Sequence, residues 1–245
     1  MPVVAEIMNA AEQPEAMNML KSHAGNGNPN NPKINIAGVW RLWPEHMGPK
    51  GNHFYQGMHL TANEIIKKTT NPDHVFEIHP VTKVATLDVR NSLHEIRGYE
   101  PWYAWYVLQQ VGKKQFAITS DKHSISFTTK QTPYNYADTW IKIDSIWTVI
   151  DGAFAFCTIL DYDYQHGHDV LQKTIANNIR VGFVKGTAPY DEALAKHNGG
   201  VMHVLATTRI NLAIVSARES ISHTDPGALT RPLPLELVAV GMITD

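Results

Sequence analysis

The 245-residue chain contains one cysteine, Cys157, so an internal disulfide is impossible and a fold stapled by cross-links is excluded. It contains no block of five or six like charges. With 21 basic against 23 acidic residues the formal charge is −2, which removes the broad cationic footprint that duplex DNA requires. Nowhere do some 18 apolar residues run together, and the first residues do not pair a basic region with an unbroken apolar core. With the lone thiol, these absences lead us to expect a soluble, cytoplasmic protein in a reducing compartment.

Several chemical signatures are also missing. The chain has no Gly-x-x-x-x-Gly-Lys phosphate loop, no dinucleotide fingerprint, no Gly-x-Ser-x-Gly elbow, no His-Glu-x-x-His and no Cys-x-x-Cys. Kinases, simple dehydrogenases, typical esterases and zinc fingers are thereby disfavoured. Cys157, inside the strand-like run Ala153-Phe154-Ala155-Phe156-Cys157-Thr158-Ile159-Leu160, reads as a small buried side chain rather than a nucleophile.

What is present is an apolar rhythm of mostly β character. Val3, Val4, Ile7, Met8 and Ala11 recur at helical spacing, Pro14 interrupts, and Met17 and Leu20 resume, predicting two short helices or one kinked one. Their stripe suits packing on the main body or on another copy, as in a homo-oligomer. Residues 25–32 are turn-forming and read as a linker. From Ile34 the period becomes two: Ile36, Gly38, Trp40 and Leu42 share one face, and Val39, Arg41 and Trp43 the other. A long loop over 47–61 and a helical turn over 62–68 follow.

Further strands are expected over 83–89, 103–111, 115–119 and 124–129, with a hairpin turn at Gly112-Lys113-Lys114. The last third runs through strands at 140–150, 153–160 and 179–184, a helix at 188–197, then strands at 201–216 and 235–243. Thr187 is a candidate cap for that helix, Pro189 fits its first turn, and Gly199-Gly200 ends it. Three strands, a helix and two strands is the order of an OB-type barrel. The expected class is mainly β with OB-like barrels, divided into a helical segment and linker over 1–32, a β-rich domain over 33–132 and an OB-like domain over 133–245.

The densest chemistry lies in Asn71-Pro72-Asp73-His74-Val75-Phe76-Glu77-Ile78-His79-Pro80-Val81-Thr82. Alternation places Phe76 and Ile78 toward a core and Glu77 and His79 together on the opposite face, with Pro80 putting His79 near a strand end. Glu77 and His79 are the candidate acid/base pair. With His46 and His74 they form a candidate ligand set for a divalent metal such as zinc, although His74 falls opposite the other two unless a bulge intervenes. The plainer reading is structural: Glu77 pairs with Arg41 across strands while His79 orients a turn. A second polar loop, from Asp161 to Asp169, lacks the glycine and terminal glutamate of a calcium loop.

The segment His74-Val75-Phe76-Glu77-Ile78-His79-Pro80-Val81-Thr82, together with Gly38-Val39-Trp40, resembles a Glu-Ile-His-Pro-Val segment of small, mostly uncharacterised bacterial proteins with OB-like barrels. The resemblance covers about a fifth of the chain and implies a compact β barrel, but no activity.

Two functions follow from the residues. One is a non-catalytic β-barrel binding or assembly protein, in which Trp102, Trp105 and Tyr106, with Arg41 on the polar face, meet a small-molecule or protein ligand. The other is a metal-assisted hydrolase of esters or phosphodiesters, with His46, Glu77 and His79 around an activated water.

Overall fold

The computed structural model describes residues 3–23, 33–43, 76–111, 116–120, 125–129, 135–162, 171–231 and 234–244. His46 and His74 lie outside these residues. So do the expected linker at 25–32, the loop at 47–61, the turn at 62–68, the hairpin turn at 112–114 and residues 163–169 of the second polar loop. The chain forms two compact units, Met1–Arg97 and Gly98–Asp245.

In the first unit, strands β1 (Val3–Ala5), β2 (Ile36–Leu42), β3 (Phe76–Val84) and β4 (Leu87–Asp88) form one sheet in the order β1-β3-β2, with β4 folded back on β3. β1 corrects the helical expectation: Val3, Val4 and Ala5 pair in parallel with Phe76, Glu77 and Ile78. Paired β-branched side chains suit a pleated surface, and the available strand edge overrides the weak helical spacing. Helix α1 (Pro14–His23) begins at the proline, whose fixed φ and missing N–H fit a first helical turn. Ala16 of α1 is buried with Val81, Val84 and Val89, and Met19, Leu20, Ile36 and Ile78 pack around them.

Pro80 lies inside the central strand β3, not at its end. The register with β2 passes from Trp40↔Ile78 to Gly38↔Val81, so His79 and Pro80 together face Val39. At such a bulge the missing proline N–H costs no ladder bond. The His79–Pro80 peptide is cis. Gly38 permits the close approach on the other side: a Cβ there would lie 2.5 Å from both Ile78 Cγ2 and the Pro80 carbonyl oxygen.

The second unit is a closed five-stranded barrel. Its strands are β8 (Tyr136–Val149), β9 (Gly152–Tyr162), β10 (Leu171–Val184), β11 (Val201–Ile210) and β12 (Leu235–Met242), ordered β8-β9-β10-β12-β11 and closed by pairing of β11 with β8. β12 runs parallel to β10, and the other pairings are antiparallel. Helix α2 (Ala188–Lys196) connects β10 to β11, between the third and fourth strands of the barrel. The mainly β class and its OB-like element order are thus present in the second unit.

Alternation along β8 sends Ala137, Thr139, Ile141 and Ile143 inward, where they meet Cys157, Ile159 and Val204. α2 packs on β12, which is accordingly buried along nearly its whole length. Thr187 occupies the N-cap position in extended backbone, but its hydroxyl donates to the Val184 carbonyl.

Two stretches expected to be strands bend into helix. β5 (Trp102–Tyr103) pairs in parallel with Ala137 and Asp138 of β8, and Tyr106–Val111 then forms a π-helical turn. The apolar run after Ile210 becomes helix α3 (Leu212–Ile221), because the Asn211 side chain accepts a hydrogen bond from the Ile214 N–H and caps it. β6 (Phe116–Ser120) and β7 (Ile125–Thr129) form a separate antiparallel pair. No helix among the described residues is long and apolar enough to cross a membrane.

Candidate functional site

The first unit gathers Arg41, Glu77 and His79, all buried, into one cluster with Glu6, which stays 26% exposed. Arg41 and Glu77 are register partners on β2 and β3, and Arg41 Nη1 donates to Glu77 Oε2 at 2.9 Å. The Arg41 guanidinium also lies 5.1 Å from the centre of the Trp43 ring, two residues along the same face. His79 Nδ1 stands 2.9 Å from Glu6 Oε2 and 3.6 Å from Glu77 Oε2. Glu6 is held beside His79 by main-chain bonds on both sides: its N–H donates to the Ile78 carbonyl, and its carbonyl accepts from Val81 N–H.

Arg41, Glu77, His79 and Trp43 are almost completely withdrawn from solvent, whereas Trp40 on the opposite face is 58% exposed. Strand parity therefore holds, but the ionisable face is the more deeply buried one. Ile78 still packs on the α1 core as expected. A charged face can go inside because its members neutralise one another: two carboxylates meet a guanidinium and an imidazole. Burial pulls the His79 pKa down, and Arg41 adds to that, but the bonds to Glu77 and Glu6 and the charge on Glu6 outweigh both and leave it raised.

This arrangement favours the structural role for Glu77 and Arg41. A metal ligand set needs neutral imidazole and free carboxylate lone pairs. Here a guanidinium occupies Glu77 Oε2, and Glu6 Oε2 stands 2.9 Å from His79 Nδ1. Among the described residues no group of three or more His, Cys, Asp or Glu side chains is placed to hold a metal ion.

The second unit holds a constellation that the sequence reading did not assemble. A small pocket of about 60 Å³ is lined by Tyr103, Asp138, Trp140, Leu160, Asp161 and His203. Asp138 and Trp140 alternate with the inward residues of β8 and so stand on the outer face of the barrel. His203 of β11 is the register partner of Trp140 and stacks on it, with centroids 4.2 Å apart and planes 11° apart. Its Nε2 lies 2.6 Å from Asp138 Oδ1. β5 lies beside Asp138 and carries Tyr103, 63% exposed, to the rim. Trp102 and Trp105 are also exposed and contact Tyr106, at centroid distances of 4.9 and 6.5 Å.

Three of the expected ligand-contact residues, Trp102, Trp105 and Tyr106, therefore share one aromatic cluster, and Arg41 belongs to the buried cluster of the first unit. No protein-family model, no curated protein and no solved structure matches this chain.

Proposed function

We propose that the protein is a non-catalytic β-barrel binding protein, and that the barrel's outer pocket receives a cationic group from a small-molecule or protein ligand. The observation that supports this reading is the convergence of Asp138 and Asp161 with Tyr103 and Trp140 on one small concavity. Carboxylates supply charge and ring faces supply cation–π attraction, while the size suits one ammonium or guanidinium head. His203 holds Asp138 and Trp140 in place by bonding one and stacking on the other. The metal-assisted hydrolase is the weaker reading, because Glu77 Oε2 is taken up by Arg41 and His79 is bonded to Glu6. The reducing location suggested by Cys157, and kinship with the bacterial Glu-Ile-His-Pro-Val proteins at the level of fold, belong to the same proposal.

The test is isothermal titration with methylammonium, tetramethylammonium and N-acetyl-lysine methylamide. Saturable binding of one of them, lost in Asp138→Asn and weakened in Tyr103→Ala and Trp140→Ala, is the expected result. No heat from any of the three overturns the cation-pocket reading. Turnover of p-nitrophenyl acetate or bis(p-nitrophenyl) phosphate that disappears in Glu77→Gln, with the fold retained, establishes the hydrolase instead.

A further inference from the structure

A second surface of the barrel has the opposite charge. Helix α3 stands away from β9 and β10 and leaves an open groove of about 690 Å³, lined by Phe156, Arg180, Asn211, Ile214, Arg218 and Arg231, among others. Phe156, 39% exposed, is the aromatic residue of that lining, and the Trp147 ring, 40% exposed, lies 5.3 Å from it and 6.1 Å from Phe154, so the apolar surface continues past the groove's edge. The Arg180 guanidinium sits 5.1 Å from the centre of the Phe154 ring.

Three arginines converge here in a chain whose overall charge is only −2. Arg180 bonds Glu236, which is buried and also takes Arg209 from β11, so that row of three carries one net positive charge. Arg231 pairs with Asp225 in an exposed bridge at 2.6 Å. Arg218 projects from α3 toward the same groove. Burial first, and then the like charge of Arg231, lower its pKa.

From this juxtaposition of exposed rings and convergent guanidinium groups, we propose that the groove between α3 and the β9–β10 face binds single-stranded nucleic acid. Phosphodiester oxygens lie along Arg180, Arg218 and Arg231, and bases stack on Phe156 and Trp147. The combination of a cationic track with flat apolar faces is what an unpaired strand uses and a duplex, with its bases stacked inside, cannot. An acidic peptide needs the arginines but has no use for the ring faces. The groove is separate from the Asp138 pocket, and the proposal stands or falls independently of it.

The test is fluorescence anisotropy of a labelled oligo-dT of about 15 nucleotides, within the range one such barrel spans. The expected result is saturable binding that weakens steeply with salt, is competed by unlabelled single strand and is not competed by duplex of the same length. Arg218→Gln/Arg231→Gln is expected to weaken it at least about tenfold, and Phe156→Ala at least about fivefold. Thermal unfolding of each variant checks that the barrel is intact, and Phe156→Tyr, which keeps the ring, is expected to bind like the parent. No binding of oligo-dT or oligo-U at low salt overturns the proposal. So does poly-glutamate competing as well as oligo-dT, which assigns the groove to an acidic protein, or affinity unchanged in a folded Phe156→Ala, which leaves a general polyanion patch.

Discussion

Arg41 and Glu77 face each other on neighbouring strands with both side chains 0% exposed, and Arg41 Nη1 donates to Glu77 Oε2 at 2.9 Å. Such a pair contributes little over an apolar pair of the same shape, yet removing one member strands the other charge without water. Glu77→Ala is therefore expected to destabilise the first unit by about 3–5 kcal/mol, measured by urea unfolding. Arg41→Met/Glu77→Leu is expected to lose much less than the sum of its single changes. Additive losses would show that the two side chains do not act as a pair.

His79 gives the cluster a pH dependence of defined sign. Its folded pKa is raised above histidine's ordinary value, so the protonated ring is bound more tightly in the folded state. That stabilisation is fully present below the unfolded value, near 6.5, and is lost as pH rises through the folded one. The urea midpoint of the first unit is expected to fall above neutrality, and His79→Gln to flatten the profile there. Glu6, Glu77 and Arg41 surround the ring, so Glu6→Gln is expected to reduce the same slope. A midpoint that rises with pH in the parent contradicts the assignment.

Gly38 is a packing constraint. A Cβ would come within 2.5 Å of Ile78 Cγ2 and the Pro80 carbonyl oxygen and within 2.9 Å of Val81 Cα. Two of these are backbone atoms and cannot rotate away. Gly38→Ala is expected to cost at least about 1–3 kcal/mol in the first unit while leaving the barrel's unfolding transition unchanged. Calorimetry of the two transitions measures both effects.

Cys157 is 0% exposed inside the barrel, and burial, with a smaller contribution from Asp144, pushes its thiol up to about 12. A thiol rather than thiolate at neutral pH, and sealed from solvent, reacts poorly. Ellman's reagent is expected to leave the native protein untouched at pH 8 and to titrate one thiol in denaturant. Fast reaction in the native state would mean that the barrel opens locally.

Asn211 decides between strand and helix. Its side chain accepts the Ile214 N–H at 3.1 Å. Asn211→Ala is expected to cost about 1 kcal/mol and to raise amide exchange in α3 before it affects β11. Equal exchange in parent and variant would assign helix formation to packing rather than to the cap.

The barrel was legible in part: β8 alternates cleanly and two of the connections carry turn chemistry, whereas β11 and β12 are buried on both faces and β10 begins at Leu171 rather than at the expected 179. Asp151-Gly152 joins β8 to β9, and Gly199 ends the α2 connection at positive φ. The errors came from apolar runs that periodicity cannot sort. Leu212-Ala213-Ile214-Val215 reads as strand unless Asn211 is weighed as a cap, and Val3-Val4-Ala5 needs a partner 73 residues away in β3 to become one. At the Glu77–His79 cluster, spacing revealed which residues share a face but not that the face is buried, nor that Glu6, just past β1, reaches His79 from 73 residues away. The Asp138–His203 pocket was invisible for a related reason. Its members sit 65 residues apart and meet only when β11 closes on β8.

Ring closure in the second unit depends on its last strand in the sequence. The strand that lies between β10 and β11, Leu235–Met242, is the last of the five to be made. Without it, β10 and β11 would each present a row of unpaired N–H and C=O groups. A chain in which that strand has not docked therefore offers two open edges to a neighbouring chain, and docking of the strand removes both at once.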